Sequence, residues 1–89
     1  MLFSFQLEFK DCGKLIGVGG NTIKYVRDNF NCSEIHVHDN NILTIVNDNI
    51  QIINSVIFEI ENIIGKKINN EILYLIRSIC RLIFGINPF

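Results

Sequence analysis

The stretch Gly13–Arg27, GKLIGVGGNTIKYVR, decides the fold of this chain. Four of the six glycines lie in the eight positions from Gly13 to Gly20. An apolar run precedes them, and a segment with helical spacing of apolar residues follows. Glycine lets a backbone turn tightly and leaves no Cβ to keep a ligand away. A glycine loop that opens onto a helix N-terminus also gathers unpaired N–H groups, so the sequence predicts a turn suited to an anion such as phosphate.

Composition limits the functions open to the chain. Its 89 residues suffice for one domain, and 48% hydrophobic against 19% charged residues predict that it folds. The net charge of −1 provides no overall attraction for nucleic acid, so binding to a polyanion would depend on a local patch. The three cysteines lack disulfide or zinc spacing, and no apolar run reaches the roughly 18 residues of a membrane span. We therefore expect an intracellular, cytoplasmic protein with no membrane span, metal or cofactor.

Alternation of apolar and polar residues predicts three strands. Leu2–Phe9 alternates throughout, with its phenylalanines and Leu7 on one face. Ser33–Asp39 alternates again, and the apolar segment Ile42–Val46 follows a short polar cluster. The second and third segments therefore predict a β-hairpin.

Helical spacing of apolar residues occurs on both sides of the glycine turn. Asp11 is predicted to cap a short helix over Cys12–Ile16, and Asn21 or Thr22 to begin the next helix. This second helix is predicted to end near Asn31, because Asn tolerates the left-handed conformation found after many helices.

The second half of the chain contains two longer apolar stripes. Asp48 or Asn49 is predicted to cap a helix whose isoleucines recur every three or four residues up to Gly65. A last helix is predicted from Asn69 or Asn70. Because a short chain cannot cover so much apolar surface, we expect this helix to pack on the domain or at a homodimer interface. Its predicted apolar face consists of Ile72, Leu75, Ile76, Ile79 and Ile83.

These elements give the order strand, short helix, glycine turn, helix, strand, strand, helix and an extra helix. The predicted fold class is α+β, with a three-stranded antiparallel sheet and helices on one face. Within this order, Ile16–Lys24, IGVGGNTIK, resembles the Ile-Gly-x-x-Gly-x-x-Ile signature of the K-homology (KH) domain family. The element order is similar to the type I arrangement of that family. We expect a KH-like domain over residues 1–66 and a helical extension over residues 67–89.

The resemblance implies binding of single-stranded RNA or DNA, with RNA the expected ligand. In the family, the GxxG loop clamps about four nucleotides of backbone, and the bases lie in an adjacent apolar groove. Carried over by position, the loop supplies backbone contacts, Lys14, Lys24 and Arg27 supply charge, and the second strand lines the groove. The implied binding residues are Lys14, Ile16, Gly17, Val18, Gly19, Gly20, Ile23, Lys24, Arg27, Ile35, His36 and Val37.

The two variable loop positions depart from the family's usual pattern. They hold Val18 and Gly19, where nucleic-acid-binding members usually carry a basic or polar side chain, so we expect weak and salt-sensitive binding. The alternative is a degenerate KH fold that acts as a protein-interaction or oligomerisation module. No nucleophile–base arrangement or carboxylate pair is visible, so we do not expect an enzyme.

Overall fold

The computed structural model describes residues 1–68 and 71–85, and the fold is α+β. The strands are β1 (Leu2–Gln6), β2 (Glu34–Val37) and β3 (Ile42–Val46). The helices are α1 (Phe9–Ile16), α2 (Asn21–Asn29), α3 (Ile50–Ile64) and α4 (Glu71–Phe84), with a single 3-10 turn at Val18–Gly20 between the first two. The predicted fold class, a type I KH-like arrangement with an additional C-terminal helix, is confirmed.

The sheet has the order β1-β3-β2, with both pairings antiparallel. Ile45 in the central strand lies between Phe3 of β1 and Ile35 of β2. Because side chains alternate along a strand, these residues share the face on which the apolar core lies. Ser4 and Thr44 occupy the opposite, more polar face, where their hydroxyl oxygens are 3.5 Å apart.

The first strand is shorter than the alternation predicts. It ends at Gln6, and Phe9 begins α1 with 82% of its surface exposed, so its predicted place on the same strand face as Phe5 is wrong. The reason is local: the Glu8 carbonyl accepts hydrogen bonds from the N–H groups of Asp11 and Cys12, which starts the helix.

The sequence predicts that Asp11 caps α1, and this prediction is wrong. The N-cap residue is Glu8, which makes no side-chain capping bond within the described residues. The Asp11 side chain is instead almost fully buried, and its Oδ2 atom lies 2.6 Å from Lys66 Nζ. Lys66 follows the end of α3, so this ion pair joins the beginning of α1 to that end.

The long helix α3 forms the centre of the core. The Asn49 side chain accepts a hydrogen bond from Gln51 N at 2.9 Å, and Gly65 ends the helix with a φ of 79°. Both predicted ends are therefore confirmed. Between them, Ile53, Ile57 and Ile60 are fully buried and pack against the inner face of the sheet and the neighbouring helices.

The face of the last helix that packs against α3 coincides with the predicted face only at Ile76 among the residues whose side chains are described. Leu73, Ile76 and Cys80 are buried, whereas Leu75 and Ile83 are 63% and 68% exposed. Apolar residues surround most of α4, so their spacing alone does not determine which side faces the domain. Asn69 and Asn70, the predicted helix start, and the side chain of Ile72 lie outside the described residues. Within the described part of the chain, no helix is both long and apolar enough to span a membrane.

Candidate nucleic-acid interface

The glycine turn between α1 and α2 has a conformation that depends on its glycines. Gly17, Gly19 and Gly20 have φ angles of 72°, 63° and 76°, in the left-handed region that residues with a Cβ rarely adopt. At Gly17 there is also no space, because a Cβ would lie 2.1 Å from the Oγ1 atom of Thr22. The backbone is therefore held close to the first turn of α2.

The tip of the turn points into solvent. Val18 is 90% exposed, and Gly19 beside it is also exposed. Gly20 is the N-cap of α2 and has no side chain that could accept hydrogen bonds from the first helical turn. The N–H groups of Gly20 and Asn21 donate within the turn, to the carbonyls of Gly17 and Val18. The turn therefore presents the positive end of a helix dipole on an accessible surface, which suits a phosphate oxygen.

Three basic side chains lie on the two helices that flank the turn, with Arg27 in the last turn of α2. Lys14 in the last turn of α1 and Lys24 in α2 are exposed. Arg27 is half-buried, and its Nε atom lies 3.2 Å from an Asp28 carboxylate oxygen, which offsets part of its charge. The positive potential beside the loop thus depends mainly on the two lysines.

The apolar residues predicted to line the groove differ in how far they are buried. Ile16 and Ile23 flank the turn and are half-buried, so part of each side chain is available to a ligand. Val37 is also half-buried, but Ile35 is only 7% exposed and belongs to the core. Its burial leaves little surface for contact with a base.

His36 lies away from the other predicted binding residues. Residues alternate along β2, so His36 points to the sheet face opposite the helices, where its partner across the strands is Thr44. Its ring packs edge-on against His38 at a centroid distance of 4.5 Å. The structure therefore brings together the loop, its lysines and two isoleucines, but not His36.

The outer surface of α2 adds residues that the sequence analysis did not select. A shallow cavity of about 450 Å³ adjoins the glycine turn on this side, and Tyr25 beside it is 59% exposed. The signal in the sequence is an aromatic residue next to Lys24 in the helix that follows the loop. The residues lining the cavity are Asn21, Lys24, Tyr25, Asp28 and Asn29.

The cysteines show no sign of catalytic activation. Cys12, Cys32 and Cys80 are free and buried, and burial raises the pKa of each thiol. A raised pKa keeps a thiol protonated and a poor nucleophile. Within residues 1–68 and 71–85, no cluster of three or more His, Cys, Asp or Glu could hold a metal ion.

A comparison with models of known protein families identifies the family of this chain. Residues 3–62 match the model of the KH domain. The chain belongs to the KH-domain family. The matched region runs from β1 into the last turn of α3, and it includes the whole glycine turn. Membership supports nucleic-acid binding as the general function of this KH domain, and KH domains are in general not catalytic. A comparison with curated proteins gave no significant match.

Proposed function

We propose that this KH domain binds single-stranded RNA through the Gly17–Gly20 loop and the apolar surface beside it. The observation that carries the proposal is the geometry of the loop. Its glycines hold the backbone at an exposed helix N-terminus, and no side chain at Gly20 covers that terminus. The half-buried Ile16 and Ile23 on either side offer apolar surface to the bases.

The binding is weak because little positive charge is available. Phosphate neutralisation supplies much of the affinity of a protein for nucleic acid. Here Val18 and Gly19 provide none, Arg27 is paired with Asp28, and the whole chain carries a net charge of −1. Backbone hydrogen bonds and apolar contacts therefore supply a larger share of the affinity than in a basic domain.

A charge reversal at one exposed position tests the proposal. Val18→Lys and Val18→Asp change only the charge at the tip of the loop, because the Val18 side chain is 90% exposed. We expect the lysine variant to bind a short single-stranded RNA several-fold more tightly than the parent, and the aspartate variant several-fold more weakly. Fluorescence anisotropy at low salt measures both, and circular dichroism checks that each variant is folded.

The control is a lysine introduced away from the loop. Glu34→Lys adds positive charge at an exposed position in β2 and should change affinity less than Val18→Lys. No binding by the parent at low salt, or equal binding by the two Val18 variants, would contradict the proposal. An oligodeoxynucleotide of the same sequence provides the comparison with DNA, for which we expect weaker binding.

An intracellular, cytoplasmic location accompanies this proposal. It is supported by the three free, buried thiols, since a reducing compartment keeps cysteines unpaired. The alternative function, a protein-interaction or oligomerisation module, is favoured by one observation, the exposed apolar face of α4. The two functions occupy different surfaces and are compatible.

A further inference from the structure

The face of α4 that points away from the domain is apolar. Leu75, Leu82 and Ile83 are 63%, 84% and 68% exposed, and Ile79 is 38% exposed. Single exposed apolar residues are ordinary, but a continuous group of them on one helix marks an interaction surface. We define the seam of α4 as Leu75, Ile79 and Leu82.

The spacing of the seam is that of a coiled coil. Leu75, Ile79 and Leu82 follow one another at intervals of four and three residues, and Ile72 extends the pattern by three in the sequence. In heptad terms, isoleucine occupies the a positions and leucine the d positions. In parallel coiled coils this combination favours two strands over three or four. We propose that α4 pairs in parallel with α4 of a second copy of this chain along the seam.

The seam is separate from the side of α4 that docks on the domain. Leu73, Ile76 and Cys80 are at most 1% exposed, and the buried Arg77 binds Glu61 of α3. The residues of the seam project from a different side of the same helix. A second copy can therefore pair with α4 while each α4 remains packed on its own α3.

The charges beside the seam permit two identical helices to meet. The g position next to Ile79 is Ser78 and the following e position is Ile83, so neither carries a charge. Arg81 lies at a c position, outside the contact between parallel helices. Pairing therefore brings no like charges together within residues 73–83.

The area of the surface is consistent with a dimer of modest affinity. The exposed fractions of the seam and Ile83 correspond to on the order of 500 Å² of apolar surface per copy, near the upper end of what a monomer leaves exposed. Two copies would bury about 1,000 Å², which is the lower limit for a specific interface. A second copy is the occupant that fits, because parallel pairing sets each a or d residue against itself.

The oligomeric state of the full chain tests the inference, which does not depend on nucleic-acid binding. Sedimentation equilibrium should show a concentration-dependent dimer for the parent. Leu82→Glu should raise the dissociation constant at least about 10-fold, because a carboxylate would be buried in the seam. Tyr74→Glu is the matched control, because Tyr74 is 66% exposed on the same helix but lies outside the seam. The Tyr74→Glu variant should dimerise like the parent. A parent that stays monomeric, or equal effects of the two substitutions, would overturn the inference.

A cysteine substitution tests the parallel direction. In a parallel pair Leu82 faces Leu82 of the second copy, so Leu82→Cys alone should form a disulfide-linked dimer under mild oxidation. In an antiparallel pair Leu82 would instead lie near Leu75 of the other copy. Cross-linking only in a mixture of Leu82→Cys and Leu75→Cys would overturn the parallel arrangement. The native cysteines are buried, and the parent chain provides the background for comparison.

Discussion

Gly17 is the residue on which the geometry of the loop depends most directly. Its φ of 72° and ψ of −176° lie in a region that is essentially restricted to glycine. The adjacent Thr22 side chain also fills the space where a Cβ would go. Conformation and space therefore require the same residue type at this position, whereas the neighbouring Gly19 and Gly20 have room for a side chain.

Replacing Gly17 by alanine should therefore destabilise the domain. We expect Gly17→Ala to lower the free energy of unfolding by about 1–3 kcal/mol, through backbone strain and the clash with Thr22. Urea denaturation measures the loss. The control is Gly13→Ala in the exposed part of α1, where no atom lies within 4 Å of the new Cβ. That change should be neutral or stabilising by up to about 1 kcal/mol, because alanine favours helix. Equal effects of the two substitutions would contradict this explanation.

The buried carboxylate of Asp11 makes stability depend on pH. Its close ion pair with Lys66 is the main reason that the Asp11 pKa lies below its ordinary value of 3.8 in the folded protein. The Lys66 pKa is raised above 10.5, chiefly by the same ion pair. The contribution of Asp11 to stability is therefore complete above its unfolded pKa and is lost as the pH falls through the folded pKa. The contribution of Lys66 to stability is complete below about pH 10.5 and is lost as the pH rises through the pKa of Lys66 in the folded protein.

Two variants separate these effects. Asp11→Asn should reduce the loss of stability between about pH 5 and about pH 3, because the unfolded state no longer gains a proton at this position. Lys66→Met should reverse the contribution of Asp11, since burial without a cation raises a carboxyl pKa and makes the acid form the stable one. Urea denaturation across this pH range measures both. A Lys66→Met variant with the pH dependence of the parent would contradict the assigned role of the ion pair.

At the scale of elements, Glu61 connects α4 and the segment before it to α3. Its Oε2 atom accepts a hydrogen bond from Ile68 N at 2.8 Å, and its Oε1 atom pairs with Arg77. Both charged groups are nearly fully buried, so each depends on the other for compensation. The docked position of α4 therefore depends on this ion pair as well as on apolar contacts.

Removing the cation should release α4 from the domain. We expect Arg77→Met to lower the free energy of unfolding by about 3–5 kcal/mol, because it leaves the Glu61 carboxylate buried without its cation. Amide hydrogen exchange should become faster in α4 than in the sheet. Arg81→Met, one turn further along and exposed, is the control and should change stability by no more than about 0.5 kcal/mol. Comparable losses in the two variants would refute the role of the buried pair.

The sequence predicted the elements where one periodicity dominates locally. Alternation located the strands, and the isoleucine stripe between Asn49 and Gly65 located α3 with both ends. Prediction from the sequence failed where a contact between residues distant in the chain determines the structure. Asp11 is a good helix cap by type, but Lys66, 55 residues away in the sequence, takes its carboxylate into the interior. The orientation of α4 likewise depends on Glu61, which no property of the helix itself indicates.

The candidate site was predictable to a similar extent. The glycine turn follows from residue type, because positive φ angles are a local property of glycine. The family resemblance pointed to β2 as a wall of the groove, but the side on which a strand residue lies depends on the phase of the strand. That phase buries Ile35 and directs His36 to the opposite face of the sheet. The signal for Tyr25, an aromatic residue next to Lys24, is shared by many ordinary exposed helix residues and did not single it out.

At the scale of the whole molecule, the small number of cations limits how strongly binding responds to salt. Each phosphate neutralised on a single strand contributes about −0.7 to the slope of log affinity against log salt concentration. Two exposed lysines, Lys14 and Lys24, carry the charge beside the loop, because Arg27 is paired with Asp28. We therefore expect a slope near −1.4, or roughly 7-fold weaker binding at about 200 mM than at about 50 mM salt. A salt titration by anisotropy measures this slope, with Lys24→Gln as a variant whose slope should be shallower by about 0.7. A slope near zero, or one beyond about −5, would place the binding surface elsewhere.

The central position of β3 determines when the chain can fold during synthesis. β1 leaves the ribosome first, but its only partner in the sheet is β3, with Leu2 opposite Val46. At about 5–20 residues per second, the first strand waits roughly 2–9 s for the residues that will cover it. During that interval Phe3 and Phe5 have no apolar surface of their own sheet to pack against. The N-terminal strand therefore remains an uncovered apolar segment of the nascent chain until β3 has been synthesised.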